Sequence, residues 1–339
     1  MTHPLTKTEW REALLPYQQP DLRRAIWQLV NTFVPYAALW ALMIYTMRQG
    51  LSYWITLALM VPAAALLVRI FIFFHDCCHG SFFASRRANR LLGYVTGILT
   101  FTPYEYWRRS HAGHHATAAD LDRRGVGDVW TMTVQEYRAA PRWRRLAYRL
   151  VRNPFVMFVL GPFFVFVVGQ RFAQRGTRWP ERRSVMITNL ALLVIGVVAS
   201  LLFGWRTYLL IRLPVMILAG SAGLWLFYVQ HQFTGVYWSR HETWDLITSG
   251  LEGSSYYKLP KVLRWFSGNI GLHHIHHLRA RIPNYHLQPA QDAIPALQEV
   301  QPLTLRGSLK SLRLNLWDEQ HQKLVSFASL RALPKPGAA

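Results

Sequence analysis

The feature that most constrains this chain is a series of long apolar runs almost free of charge. Ala25 to Met47 is uncharged for 23 residues and Val185 to Trp205 for 21. At 1.5 Å of rise per residue, about 20 helical residues cross the roughly 30 Å hydrocarbon core of a bilayer. Leu51 to Val68 follows a turn at Arg48, Gln49 and Gly50 and continues through Arg69 to Phe74. Thr207 to Gln230 follows a turn at Gly204, Trp205 and Arg206, and its one charge, Arg212, is expected to snorkel from near the outer end. The four runs predict two transmembrane hairpins.

Two further stretches are shorter and interrupted: Leu91 to Trp107 by Pro103 and Glu105, and Pro154 to Gly169 by Gly161 and Pro162. Arg142, Arg144, Arg145, Arg149 and Arg152 flank the second on one side, and Arg171, Arg175, Arg178, Arg182 and Arg183 on the other. Basic loops stay cytoplasmic, so both flanks lie on one side and the two stretches read as re-entrant or interfacial. The expected fold is therefore all-α: a polytopic membrane protein with four spanning helices in two hairpins under a cytoplasmic helical cap. In order, residues 1–24 form a cytoplasmic segment with no signal-peptide pattern, 25–74 the first hairpin, 75–184 a cytoplasmic and re-entrant region, 185–230 the second hairpin, and 231–339 a cytoplasmic region. Within the last, Leu305, Leu309, Leu312 and Leu316 fall at helical spacing and predict a helix along the membrane surface or over the cap.

Lys plus Arg outnumber Asp plus Glu by 38 to 17, giving a formal charge of +21. Because these charges alternate with spans and never gather on one soluble module, they read as a collar for anionic headgroups, and nucleic-acid binding is excluded. A hydrophobic fraction of 51% excludes disorder, and two adjacent cysteines, Cys77 and Cys78, exclude a disulfide scaffold. They read as packing residues in a reducing compartment. Gly93 and Gly97 read as a helix-packing pair, and Asp120, Asp122 and Asp128, interleaved with arginines, as a solvated or salt-bridged loop.

The chemistry resides in the fourteen histidines. His75 and His79 stand at i and i+4 directly after the second span. His111, His114 and His115 repeat that pattern at i, i+3 and i+4, and His273, His276 and His277 repeat it again. On a helix such residues share one face, and imidazole at this spacing is the commonest way to hold a metal. His231 ends the fourth span, so nine histidines collect on the cytoplasmic side at membrane-exit depth. Nine exceed what one metal accepts, which implies two metals in sites of four and five ligands. Iron, copper, zinc and nickel all remain open on these donors alone. His274 is left outside the set, His241 and His286 read as structural, and His3 and His321 as solvated. Asp76 is either a partner orienting a ligand histidine or a carboxylate facing water.

At these residues the sequence resembles the membrane fatty acid desaturases, especially their bacterial and cyanobacterial acyl-lipid branch, over roughly residues 30 to 320. His75 to Phe83 looks like that family's first histidine box, His111 to His115 the second, and Asn269 to Leu278 the third. Gln230, His231, Gln232 and Phe233 lie between the second and third. Thr234 stands where the branch usually has an acidic residue, and Cys78 where a small residue is common. The resemblance implies a non-haem centre of two iron ions ligated by His75, His79, His111, His114, His115, His231, His273, His276 and His277, with Asp76 and Asn269 behind the ligands. It implies O2-dependent insertion of a cis double bond into an acyl chain of a membrane lipid. A membrane hydroxylase or ketolase acting on alkane, lipid or carotenoid is the neighbouring alternative, and a non-catalytic metal or haem protein the alternative of another class; a zinc hydrolase would not need nine histidines.

An unactivated methylene offers neither acid nor leaving group, so acid-base or nucleophilic catalysis cannot attack it and an oxidising metal centre can. With no nicotinamide or flavin motif in the chain, two electrons must come from an external donor, expected to be a ferredoxin or flavodoxin steered to a basic surface around Arg108, Arg109, Arg123, Arg124, Arg264, Arg279 and Arg281. The expected location is a bacterial inner membrane, with the site facing the cytoplasm.

Overall fold

A computed structural model of the protein describes residues 5–125 and 127–331; His3 lies outside the described residues. Thr6 and Glu9 form a capping box that starts α1 (Lys7–Leu14), whose Trp10 and Leu14 are buried against Leu251, Leu272 and Ile275. The N-terminal segment is thus packed onto the region that carries the third histidine cluster.

Asp21 caps α2 (Leu22–Arg48) by accepting from the Arg24 amide, and a tight turn leads into α3 (Tyr53–His79). Gly80 stops α3 with φ 67°, a left-handed conformation that glycine adopts without a Cβ penalty. His75 and His79 therefore occupy the last turn of a helix whose end is fixed. Then come α4 (Arg86–Leu99), α5 (Tyr104–Thr117), α6 (Val134–Ala139) and α7 (Arg142–Val151). The second hairpin is α8 (Trp179–Phe203) and α9 (Trp205–His231), followed by α10 (Leu246–Leu251), α11 (Lys261–Phe266), α12 (His273–Leu278) and α13 (Asn284–Ala293). Strands are confined to two- and three-residue pieces that tie the C-terminal region together, for example Met132–Thr133 beside Leu316–Asp318.

Among the described residues α2, α3, α8 and α9 are long and apolar enough to cross a membrane. The stretch after α7 is built from wide π-helical turns, Val156–Leu160 and Phe163–Val168, around Gly161 and Pro162. Together with α7 it bends by 63°, and it would be a fifth span only if the bent pair were counted as one. A proline lacks the N–H that a regular helix needs and disturbs the turn before it. This segment lies against α9, where a Cβ on Gly220 would fall 2.9 Å from Pro162.

The apolar core runs along α3, with Met60, Ala63, Leu67 and Ile70 packed against Met43 of α2 and Ile211, Val215 and Met216 of α9. The Gly93 and Gly97 pair does what its spacing suggests. A Cβ on Gly93 would fall 2.3 Å from the Tyr104 ring, and one on Gly97 would fall 2.5 Å from the Thr102 carbonyl.

Two expectations are corrected. Arg212 does not snorkel: it is buried, with its guanidinium 4.4 Å from the centre of the Phe101 ring and bonded to the Leu99 carbonyl. Neighbouring polar oxygens satisfied it more closely than the distant interface could. Leu305 to Leu316 is not one helix but a turn of helix at Leu305–Ser308, a 3-10 turn at Leu309–Arg313 and a strand from Leu316. Tyr148 and Arg152 bond to the Asn315 and Leu314 carbonyls and hold that backbone extended.

Candidate metal centre

Four helices bring nine imidazoles together. His75 and His79 come from α3, His111, His114 and His115 from α5, His231 from the end of α9, and His273, His276 and His277 from α12. They form one group of five, His75, His79, His111, His115 and His276, and one of four, His114, His231, His273 and His277. In each group the candidate ligand atoms all lie within 4.8 Å of one another. Each triplet is split: the i, i+4 pair goes to one group and the middle histidine to the other. Residues four apart differ by only about 40° around a helix, so they converge, whereas the residue three along points some 60° to the other side. The groups are adjacent, with the His115 and His277 rings stacked at 4.2 Å.

The donors fit metal ions. Nε2 atoms approach at 3.0 Å for His115 and His276, and at 3.1 Å for His231 with His114 and with His273. Metal–imidazole bonds of about 2.1 Å at right angles give an edge of about 3.0 Å. Neutral imidazoles that converge lone pair to lone pair repel unless something positive sits among them. The buried Nε2 of His79 has no hydrogen-bond partner. Burial holds His111, His115, His273, His276 and His277 well below the ordinary imidazole range, with neighbouring imidazoles adding to the effect, so they are neutral donors. No carboxylate or thiolate belongs to either group.

Behind the ligand face, Asp128 pairs with Nδ1 of His114, and the Gly253 carbonyl lies 3.3 Å from Nδ1 of His231. Such partners fix the tautomer and the ring orientation. Asp76 is buried rather than facing water: its Oδ1 is 3.4 Å from Nδ1 of His75, and its Oδ2 accepts from the backbone and side-chain amides of Asn284 at 2.7 and 2.9 Å. The Asn269 amide donates to the Asn284 carbonyl at 2.9 Å, one step further back. Asp120 and Asp122 are salt-bridged to Arg123 and Arg240, as a salt-bridged loop requires, but Asp128 of the same loop pairs with His114 and supports the site. Asn284 carried no local signal in the sequence and Asp128 only that of an acidic loop, because each reaches the site only through tertiary contact.

The remaining histidines lie elsewhere. His274 faces Gln291 at 3.0 Å, His241 pairs with Asp120, His286 with the Tyr17 carbonyl, and His321, half-exposed, with Asp318. Cys77 and Cys78 are buried in an aromatic cluster with Phe73, Phe74 and Tyr104. The basic surface is smaller than expected. Arg108 pairs with Glu105, Arg109 with Glu181, Arg123 with Asp120 and Arg124 with Glu136, while Arg281 is exposed and Arg279 half-buried.

A cavity of about 590 Å³ leads to the histidines. His75 and His111 of the first group and His273 of the second form part of its wall. The rest is mostly apolar: Phe71 and Trp107 on one side, Leu224 and Phe227 of α9 on the other, with exposed Phe164 and Val165 toward the outside. Trp107 also stacks on His111 at 4.2 Å.

Fold and site together define a helical membrane protein with a polyhistidine centre in the wall of an apolar cavity. A family model described as fatty acid desaturase matches residues 51–306. The chain is 48% identical over 318 residues to a fatty acid desaturase of Bacillus subtilis, covering 94% of this chain and 90% of that protein. It is 26% identical over 249 residues to the sn-1 oleoyl-lipid 12-desaturase of Synechocystis sp., with 67% and 65% covered, and 24% identical over 261 residues to the ferredoxin sn-1 acyl-lipid omega-3 desaturase of Nostoc sp., with 74% and 66% covered. The chain belongs to the fatty acid desaturase family, whose members are oxidoreductases.

Proposed function

We propose that the protein is an O2-dependent acyl-lipid desaturase that introduces a cis double bond into a membrane-lipid chain, with its site on the cytoplasmic side of a bacterial inner membrane. The observation that carries this reading is the apolar cavity whose wall includes histidines of both groups. Five histidines would hold one iron and four the other, and the bound pair would supply the oxidising power that a methylene requires. Overall, two hydrogens leave adjacent carbons, and with O2, two electrons and two protons the products are an alkene and two waters.

The chain's own residues do the positioning. Trp107 and Phe227 exclude water and hold the acyl chain beside His75, His111 and His273. Asp128 and Asp76 orient His114 and His75. The electrons come from a separate carrier; the Nostoc relative is named for ferredoxin, and an acidic carrier of that kind, or a flavodoxin, would meet Arg281 and Arg279.

The test is expression in a host of defined lipid composition, followed by gas chromatography and mass spectrometry of the acyl chains. A new double bond is expected, together with two irons per chain by metal analysis. A hydroxylated product, or one zinc and no iron, would overturn the reading. Charge reversal at Arg279 and Arg281 should slow turnover with reduced ferredoxin and flatten its salt dependence while iron content is unchanged.

A further inference from the structure

Two arginines, Arg212 of α9 and Arg171, meet at one turn beside the cavity, away from its histidines. Away from the histidines the cavity is bounded by Leu67 of α3, Thr100 and Met216 of α9. Leu67 lies eight residues before His75 on one helix, a depth of about 12 Å. Thr100 belongs to the turn that closes α4, and its hydroxyl donates to the Thr96 carbonyl at 2.8 Å, inside its own helix. The next residue, Phe101, has φ 58°, a left-handed conformation that a bulky side chain does not hold unless its surroundings enforce it.

Those surroundings are Arg212 and Arg171. Arg212 reaches up from α9, one turn below Met216, bonding to the Leu99 carbonyl and lying 4.4 Å from the Phe101 ring centre. It also meets the Tyr36 hydroxyl at 3.4 Å. Arg171 bonds to the Phe101 carbonyl and, at 2.9 Å, to Oδ1 of Asn189 on α8. Every partner named here is uncharged. Charge inside a span is expensive and is found where it does a task; Arg212, within α9, and Arg171 converge on one strained turn that borders the cavity.

We propose that this arginine-clamped turn is the stop that measures the acyl chain, so that Thr100 and Met216 meet its methyl end and Arg212 and Arg171 act as positioning residues that fix which carbon pair lies beside the histidines. The inference rests on the reading of the cavity as an acyl site. The polar ester end is costly to bury and stays outside, which leaves the methyl end to travel inward. Successive carbons advance by roughly 1.3 Å along an extended chain, so a stop that wandered by that much would change the bond presented. A turn tied to α8 and α9 at once does not wander.

The first test uses the wild-type protein in phospholipid vesicles containing a lipid whose acyl chain ends in a photoreactive diazirine. Label is expected on the peptide carrying Thr100 or on Met216; label confined to Phe164 and Val165, on the exposed side of the cavity, would overturn the proposal. The second compares products. Thr100→Phe should shift preference toward shorter acyl chains by roughly tenfold, the scale set by one or two methylenes in an apolar pocket. Arg212→Gln should spread the double bond over neighbouring positions while iron content stays at the wild-type value. Unchanged positions and chain-length preference in an active Thr100→Phe variant would overturn it. A wild type that labels at the turn yet forms no double bond would refute the desaturase reading and leave the stop standing; double bonds with label elsewhere would do the reverse.

Discussion

Helices α3 and α8 are close in length and mean hydropathy, yet 61% of the most apolar stretch of α3 is buried in the protein against 11% for α8. Both satisfy the bilayer, so apolar content alone does not say which one builds the site. The difference lies in what each helix meets. α3 presents Phe73, Phe74 and Ile70 to neighbours on several sides, whereas Leu190, Leu193 and Leu201 of α8 remain exposed to lipid. A helix that ends in ligands must be held from all round, because a small tilt at its base moves His75 and His79 at its tip. A helix that only shields the bundle has no such demand.

The largest effects should come from the tip of α3 and its partners. His114→Ala or His276→Ala is expected to reduce desaturation by at least about 100-fold and to lower bound iron, with the protein still in the membrane, since removing even a residue behind a ligand costs 10–100-fold. His274→Ala should retain most activity, because that ring faces Gln291. If His274→Ala matched His276→Ala in iron loss, the grouping of the histidines would be wrong.

Asp128→Asn comes next. It keeps the shape but weakens the orientation of His114, and a 10–100-fold loss of metal affinity or activity is expected. Metal titration of the purified variant would show it, and wild-type affinity would remove Asp128 from the site.

The two helices can be compared directly by stability. Phe74→Ala, at a fully buried position of α3, should cost about 3–5 kcal/mol, and Leu193→Ala, facing lipid on α8, within about 0.5 kcal/mol. Thermal unfolding in detergent reads both; equal losses would end the distinction drawn here.

The smallest effect concerns pH. Burial pushes His274 from its ordinary 6.5 down to about 4. Below pH 6.5 the unfolded chain takes up a proton that the folded chain refuses, so stability present above 6.5 is lost as pH falls toward 4. The metal-free protein should therefore melt at progressively lower temperature across that window, and less steeply in His274→Gln. A flat profile would contradict the burial of this ring.

The nine histidines stood out in the sequence because helical spacing is a local property: residues four apart must converge whatever the rest of the chain does. Which group each pair joins was not legible there, since it depends on the angles at which α5 and α12 face α3 and α9. Leu305 to Leu316 shows the opposite failure, a helical pattern overridden by distant side chains from α7 bonding to its carbonyls.

By itself, then, the sequence determined the four runs long and apolar enough to span and the histidines that could hold metal, because hydropathy and helical period act over short distances. Tertiary structure alone decided that Asp128 and Asn284 stand behind the ligands, that Arg212 is buried rather than snorkelling, and that histidines of both groups line one apolar cavity. Each of those joins residues far apart along the chain, and packing, not local preference, sets which of them meet.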